Sequence, residues 1–212
     1  MINPLSFEIC RAGRLAEIID DLARLRIAIF RDWPYLYDGT DPVYERRYLE
    51  VYLRSPHAAA IVARDDGGRI VGASTCLLLA DEAAPMRAPF EVRGQDLRRF
   101  FYFGESVLLP ACRGRGAGVR FFALREEAAR AAGADFAVFC AVHRPPDHPA
   151  RPAGWVPLDG FWARRGYARL PGLSCTYPWK EVGTGHEVPH RLDFWGRALG
   201  AVPLPEQLLE DR

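Results

Sequence analysis

The sequence predicts an α/β domain built on a mixed sheet, and three observations carry that reading. A largely apolar run, Ser106–Leu109, stops at Pro110; a turn with Arg113, Gly114, Arg115, Gly116, Ala117 and Gly118 follows, then an alanine-rich helical pattern from Val119 to Ala132. A second apolar run, Phe136–Val142, has the unbroken character of a buried parallel strand entered after a helical crossover. Two further apolar runs, Ala58–Arg64 and Arg69–Leu79, flank Asp65-Asp66-Gly67-Gly68, a strong signal for an antiparallel hairpin.

The elements follow in order. Leu5–Cys10 reads as a first strand, with Phe7 and Ile9 alternating. Leu15–Phe30 reads as a helix because Leu15, Ile18, Ile19, Leu22 and Leu25 recur at helical spacing. Arg31–Pro42 breaks it, and Val43–Leu53 forms a second helix ended by Ser55-Pro56. After the hairpin, Asp81–Arg99 is polar and proline-containing, a loop with at most a short helix. Phe100–Leu109 is the strand that feeds the glycine turn, and Gly133 closes the helix after it. Arg144–Pro157 is a loop with five prolines, and Leu158–Arg165 a short helix closed by Gly166. Ala168–Leu170 and Ser174–Trp179 pair as a last hairpin. Residues 1–180 thus read as one domain, and 181–212 as a C-terminal appendage with a helix around His190–Leu199.

Composition narrows the function. A chain of 212 residues, 49% hydrophobic, can bury a sizeable core. A net charge of +1 argues against a dedicated nucleic-acid binder. No apolar run approaches the ~18 residues of a membrane span, and Met1–Cys10 lacks the charged and apolar regions of a signal peptide. Cys10, Cys76, Cys112, Cys140 and Cys175 are odd in number and scattered, which reads as reduced thiols in a cytoplasmic protein rather than disulfides or a zinc site. His143 and His148 find no third ligand in the sequence, so no metal is expected.

The glycine turn points to chemistry. Three glycines in five residues let the backbone curl around an anion at a helix N-terminus, where amide groups bind phosphate. Arg113, Arg115 and Arg120 crowd that same end, where the helix dipole disfavours cations by a few tenths of a kcal/mol each; a bound anion reverses the balance. The turn lacks the Gly-Lys-Ser/Thr of a Walker loop, and its Gly-x-Gly-x-Gly spacing fits a dinucleotide fingerprint poorly. It resembles the Arg/Gln-x-x-Gly-x-Gly/Ala motif of the GCN5-related N-acetyltransferases (GNAT). Arg113, Gly116 and Gly118 fall on its fixed positions, Leu108-Leu109-Pro110 on the Val-x-Pro before it, and Phe161 and Gly166 on the family's later Phe-Tyr-x-x-x-Gly-Phe segment. The order of elements over about residues 4–180 is similar as well.

That resemblance implies a mostly antiparallel central sheet, its fourth and fifth strands parallel and splayed, with helices on both faces. It implies acetyl transfer from acetyl-CoA to an amine by direct attack. The backbone of Ser106, Val107 and Leu108 would meet the acetyl group and pantetheine, and the N–H groups of Arg113, Gly114, Arg115, Gly116, Ala117, Gly118 and Val119 the pyrophosphate. Trp162 would also lie at the cofactor; it stands where the family has a Tyr that protonates the leaving thiolate, and an indole cannot do so. A non-catalytic acyl-CoA sensor of the same fold is the alternative. For the base, Glu105 on the strand before the turn and His143 at the end of the next strand both qualify, with Glu105 first. Asp159 reads as a helix cap and His148 as solvated. Trp33, Tyr35, Tyr37 and Tyr44, with Asp32, Asp38 and Asp41, make an aromatic, acidic segment suited to a cationic amine, though Trp33 and Tyr44 read rather as core anchors. The acceptor, a small-molecule or peptide amine, and a homodimeric state are left open.

Overall fold

The computed structural model describes residues 4–210. The outermost residues of the expected domain and appendage, Met1–Asn3 and Asp211–Arg212, lie outside them. Seven strands form one sheet: β1 (Ser6–Cys10), β2 (Ala59–Arg64), β3 (Ile70–Leu78), β4 (Phe100–Leu108), β5 (Phe136–Val142), β6 (Ala168–Lys180) and β7 (Glu187–Ala198), in the order β1-β2-β3-β4-β5-β7-β6. All neighbours are antiparallel except β4 and β5.

Helices cover both faces. On one lie α1 (Gly13–Glu17), α2 (Ile19–Phe30), α3 (Pro42–Arg54) and α4 (Ala84–Val92); on the other, α5 (Ala117–Ala131) and α6 (Asp159–Ala163). The single helix expected over Leu15–Phe30 is broken at Ile18, so it forms two. Asp41 accepts from the Val43 N–H at 2.9 Å, and Pro42 sits in the first turn where its missing N–H does no harm, which together start α3. The segment 81–99 is more ordered than its polarity suggests, because α4 buries Met86 and Phe90 one turn apart.

The C-terminal expectation is corrected. The helix around His190–Leu199 is strand β7, and the presumed appendage supplies an interior strand, paired with β5 on one side and β6 on the other. Leu192 and Phe194 face the α2 side, while Trp195 faces the α5 side. A strand buried on both faces loses the plain alternation that marks a half-exposed one. The two short strands expected at 168–179 are one strand, β6, with an irregularity between Arg169 and Ser174, and its partner is β7. A chain ending at Gly185 would leave β5 and β6 without their shared neighbour. It is predicted to show no cooperative melt by circular dichroism; a transition within ~5 °C of the full chain would restore the appendage reading.

Candidate functional site

The parallel pair β4–β5 joins only through Phe100–Phe136, Phe101–Ala137 and Tyr102–Val138. Beyond that point β4 continues along β3 and β5 along β7, so a gap opens between them. β4 also carries an extra residue. Phe103 pairs with Cys76 and Ser106 with Ser74, three steps on β4 against two on β3. The bulge lets Tyr102 and Glu105, three apart, line the same cavity on the α2 side. Gly104 sits in the bulge, where a Cβ would overlap the Tyr52 hydroxyl and Thr75 Oγ1.

Backbone direction follows. The N–H groups of Glu105 and Leu109 point toward β3, to Thr75 Oγ1 at 3.0 Å and the Val71 carbonyl at 2.9 Å. By alternation, those of Ser106 and Leu108 point into the gap, where no strand among the described residues meets them. The chain then turns into α5 through Gly116, whose φ of 77° favours glycine. The first amide of this turn bonded to the helix is Arg120, to the Gly116 carbonyl at 3.1 Å. Ala117, Gly118 and Val119 therefore present free N–H groups at a positive helix end.

These groups open on a cleft of about 910 Å³, within the size range of ligand pockets. Of the expected contacts, Ser106, Leu108, Arg113, Gly114, Gly116, Ala117, Gly118, Val119 and Trp162 line it. Two do not. Val107 packs into the core on the α2 side, and Arg115 folds back onto the Ala111 carbonyl at 2.8 Å. Trp162 packs edge-on to Phe139 and Trp195, both cleft residues.

The proline-rich loop forms the cleft's outer wall. Arg144 fixes its start, donating to the Pro34 carbonyl at 2.7 Å and the Tyr35 carbonyl at 2.8 Å. Farther along, His148 and Trp155 pack on Trp33, with centroids at 5.0 and 5.7 Å.

A second, smaller cavity of about 90 Å³ lies on the α2–α3 side of the sheet, and Gly104 and Cys140 line both. The gap between β4 and β5 therefore joins two chambers. Arg26, Tyr37, Tyr44, Tyr48, Tyr102 and Glu105 are among the walls of the smaller one. Arg26 is buried between two carboxylates: it donates to Glu45 at 2.5 Å and ion-pairs with Glu105. Thr75 donates to the other Glu105 oxygen at 2.8 Å, and the Tyr37 hydroxyl donates to Glu45. Burial alone would lower the Arg26 pKa, but Glu105 and then Tyr48 and Glu45 outweigh it and hold it above the ordinary value. One cation between two anions leaves one negative charge beside a ring of tyrosines. By contrast, Asp38 is spent on Arg31 and Lys180, and Asp41 on capping α3.

Sequence reasoning missed Arg26, Glu45 and Thr75. Two of them carry a signal: Arg26 interrupts the apolar stripe of α2, and Glu45 opens the buried stripe Glu45, Leu49, Tyr52 of α3. His143 lies apart from Glu105, in the large cleft. It is half exposed, with Nδ1 at 3.4 Å from Asp193, itself held by Arg169 at 2.5 Å and Arg191 at 2.9 Å. Asp159 opens α6, and the His148 ring accepts from the Ala150 N–H at 3.1 Å. Among the described residues no group of three metal-ligating side chains converges, and no helix is long and apolar enough to cross a membrane.

Arg144 is anchored in turn by Glu181, at 3.2 Å to both oxygens, and His190 Nε2 reaches Glu181 at 2.8 Å. Burial raises the Glu181 pKa, yet His190 and Arg144 prevail and hold it below the ordinary 4.5. A carboxyl depressed on folding stabilises the protein above its unfolded pKa, and this is lost as pH falls through the folded value. Glu181→Gln should therefore destabilise by on the order of 2 kcal/mol at pH 7. Thermal melts of both proteins should converge as pH drops below 4.5; a difference that does not change with pH would refute the assignment.

No family model matches the sequence, and no curated protein matches it. Solved structures do. The arylalkylamine N-acetyltransferase 2 of Aedes aegypti is 15% identical, with 93% of this chain and 100% of that chain covered and a TM-score of 0.57. A GNAT-family acetyltransferase of Staphylococcus aureus Mu50 is 12% identical, with 92% and 100% covered and a TM-score of 0.55. A proposed acetyltransferase of Salmonella typhimurium, solved with its cofactor acetyl-CoA, is 15% identical, with 95% and 97% covered and a TM-score of 0.54. With its single parallel pair parting above a glycine turn and helices on both faces, the chain has the fold of the GCN5-related N-acetyltransferases.

Proposed function

We propose that the protein is an N-acetyltransferase that moves an acetyl group from acetyl-CoA to an amine. The observation that carries this reading is the gap itself: unpaired strand amides at Ser106 and Leu108 run toward free helix amides at Ala117–Val119, along one cleft. That row of donors suits an arm with amide groups followed by a pyrophosphate.

In this reading the pyrophosphate sits at the start of α5 and the thioester reaches the gap near Gly104. The amine enters from the smaller chamber, drawn by the net negative charge of Arg26, Glu45 and Glu105 and by the tyrosine faces. Its nitrogen attacks the carbonyl carbon. The C–N bond forms, the C–S bond breaks, and CoA leaves as a thiolate. A thiol ionises far more readily than an alcohol (~8.5 for the Cys side chain), so the thiolate can leave and take its proton from water, which accommodates Trp162. The amine proton goes to Glu105, directly or through a water. Arg26 pairs with Glu105 and with Glu45, so its charge is shared between two carboxylates. Glu105 is preferred to His143 because it lines the chamber assigned to the amine.

The absence of a phenol at Trp162 keeps the acyl-CoA sensor as the second reading. A panel of amines assayed for release of free CoA separates the two; tight acetyl-CoA binding without turnover on any amine class would support the sensor. By calorimetry, Gly116→Glu should abolish acetyl-CoA binding that the wild type shows, and equal binding would remove the site assignment. With an accepted amine, Glu105→Gln should lower kcat by about 10²–10⁴ with CoA affinity intact. His143→Gln should change it only a few-fold; the reverse pattern would make the histidine the base.

A further inference from the structure

The chain buries a second arginine, and among the described residues this one has no counter-ion. Arg125 lies on the face that α5 turns to the sheet and is 2% exposed. Its guanidinium rests over the rings of Phe103 at 4.3 Å and Phe122 at 4.7 Å. Among the described residues it makes no hydrogen bond or ion pair, and Nε is buried without a partner. Its neighbour Glu126 is directed to Tyr167, Arg197 and Arg130 instead. Burial pushes the Arg125 pKa down to about 10, so the group is still a cation at neutral pH. Two aromatic faces offset only part of what it costs to bury an unpaired charge. Arg26 shows how the same fold treats its other buried arginine: it receives two carboxylates.

The position of Arg125 says where a partner would come from. It lines the large cleft together with Gly104, Phe122, Phe139 and Trp162. It lies eight positions beyond Ala117, about 12 Å along the helix, too far to serve a pyrophosphate at the α5 N-terminus. It lies instead against Phe103, the residue before Gly104, where β4 and β5 part. We propose that Arg125 receives a negatively charged oxygen at the acyl end of the bound thioester. This rests on the CoA reading of the cleft. Such an oxygen has two sources. One is a carboxylate at the far end of the acyl group, as in succinyl-CoA. The other is the carbonyl oxygen of any acyl group, which takes the π electron pair when the amine nitrogen bonds to carbon and returns it as the C–S bond breaks.

Calorimetry of acetyl-CoA and succinyl-CoA on the wild type, Arg125→Lys and Arg125→Met tests the proposal without need of an acceptor. If the carboxylate is the ligand, the wild type binds succinyl-CoA about 10-fold or more tighter than acetyl-CoA, and Arg125→Met loses the preference. If the oxyanion is the ligand, both thioesters bind all three proteins alike. CoA release with an amine accepted in the panel then falls about 10²–10³-fold in Arg125→Met at an unchanged acetyl-CoA KM. In either case removal of an unpaired buried charge should raise the melting temperature of Arg125→Met, which a merely structural arginine would not do. Should that variant fail to fold, the wild-type preference and the rate of Arg125→Lys decide. A wild type with neither a succinyl-CoA preference nor a rate lowered by substitution overturns the proposal. A wild type that binds neither thioester removes the CoA cleft itself.

Discussion

Three residue pairs hold β4 to β5, and the site begins where the third ends. Backbone amides inside a protein need partners, and a sheet normally supplies them. Here the bulge at Gly104–Glu105 and the divergence toward β3 and β7 leave a short row of donors unmatched by strand. The gap stays open because both of its edges are held elsewhere. β4 is tied to β3 through Ser74, which bonds the Glu105 carbonyl at 3.0 Å and the Ser106 hydroxyl at 2.6 Å. β5 is tied to β7 along its whole length. That is why an interior strand drawn from the last part of the chain matters to a site formed in its middle.

The two faces of the gap differ in chemistry. On the α5 side the surface offers hydrogen-bond donors, a helix end and aromatic walls, with few negative charges near the glycine turn. On the α2 side a buried carboxylate–arginine–carboxylate cluster stands among tyrosines whose hydroxyls stay protonated: burial lifts the pKa of Tyr37, Tyr48 and Tyr102 above the ordinary value. In the proposed reaction a polyanionic arm and a cation would approach from opposite sides of one sheet. The gap, lined on both sides by Gly104 and Cys140, is where they would meet. Breaking the cluster from one side would strand a buried charge, which ordinarily costs about 3–5 kcal/mol, so it also fixes α2 and α3 against β4.

Much of this was legible in the sequence wherever local signals agreed with tertiary context. The glycine turn, the Asp-Asp-Gly-Gly hairpin and the apolar run of β5 each combine a backbone requirement with a hydrophobic pattern, and each is found where expected. The elements that were misread are those whose pattern is set by distant partners. β7 carries a proline, a histidine and an aspartate among apolar residues, and only its place between β5 and β6 makes it a strand. In the site, Glu105 and His143 were identified by type and position, yet the sequence could not show that they line different chambers. The bulge decides the facing of Glu105, and nothing in Phe103-Gly104-Glu105 fixes which residue is extra. Arg26, Glu45 and Arg125 were legible only as charges out of place in apolar helix stripes.

Amide hydrogen exchange read residue by residue, with and without acetyl-CoA, tests the central claim most directly. The account predicts slowed exchange at Ser106, Leu108, Ala117, Gly118 and Val119, with β1 and β2 unchanged. Unaltered exchange at those five amides in the presence of bound acetyl-CoA, or protection confined to another surface, would contradict it.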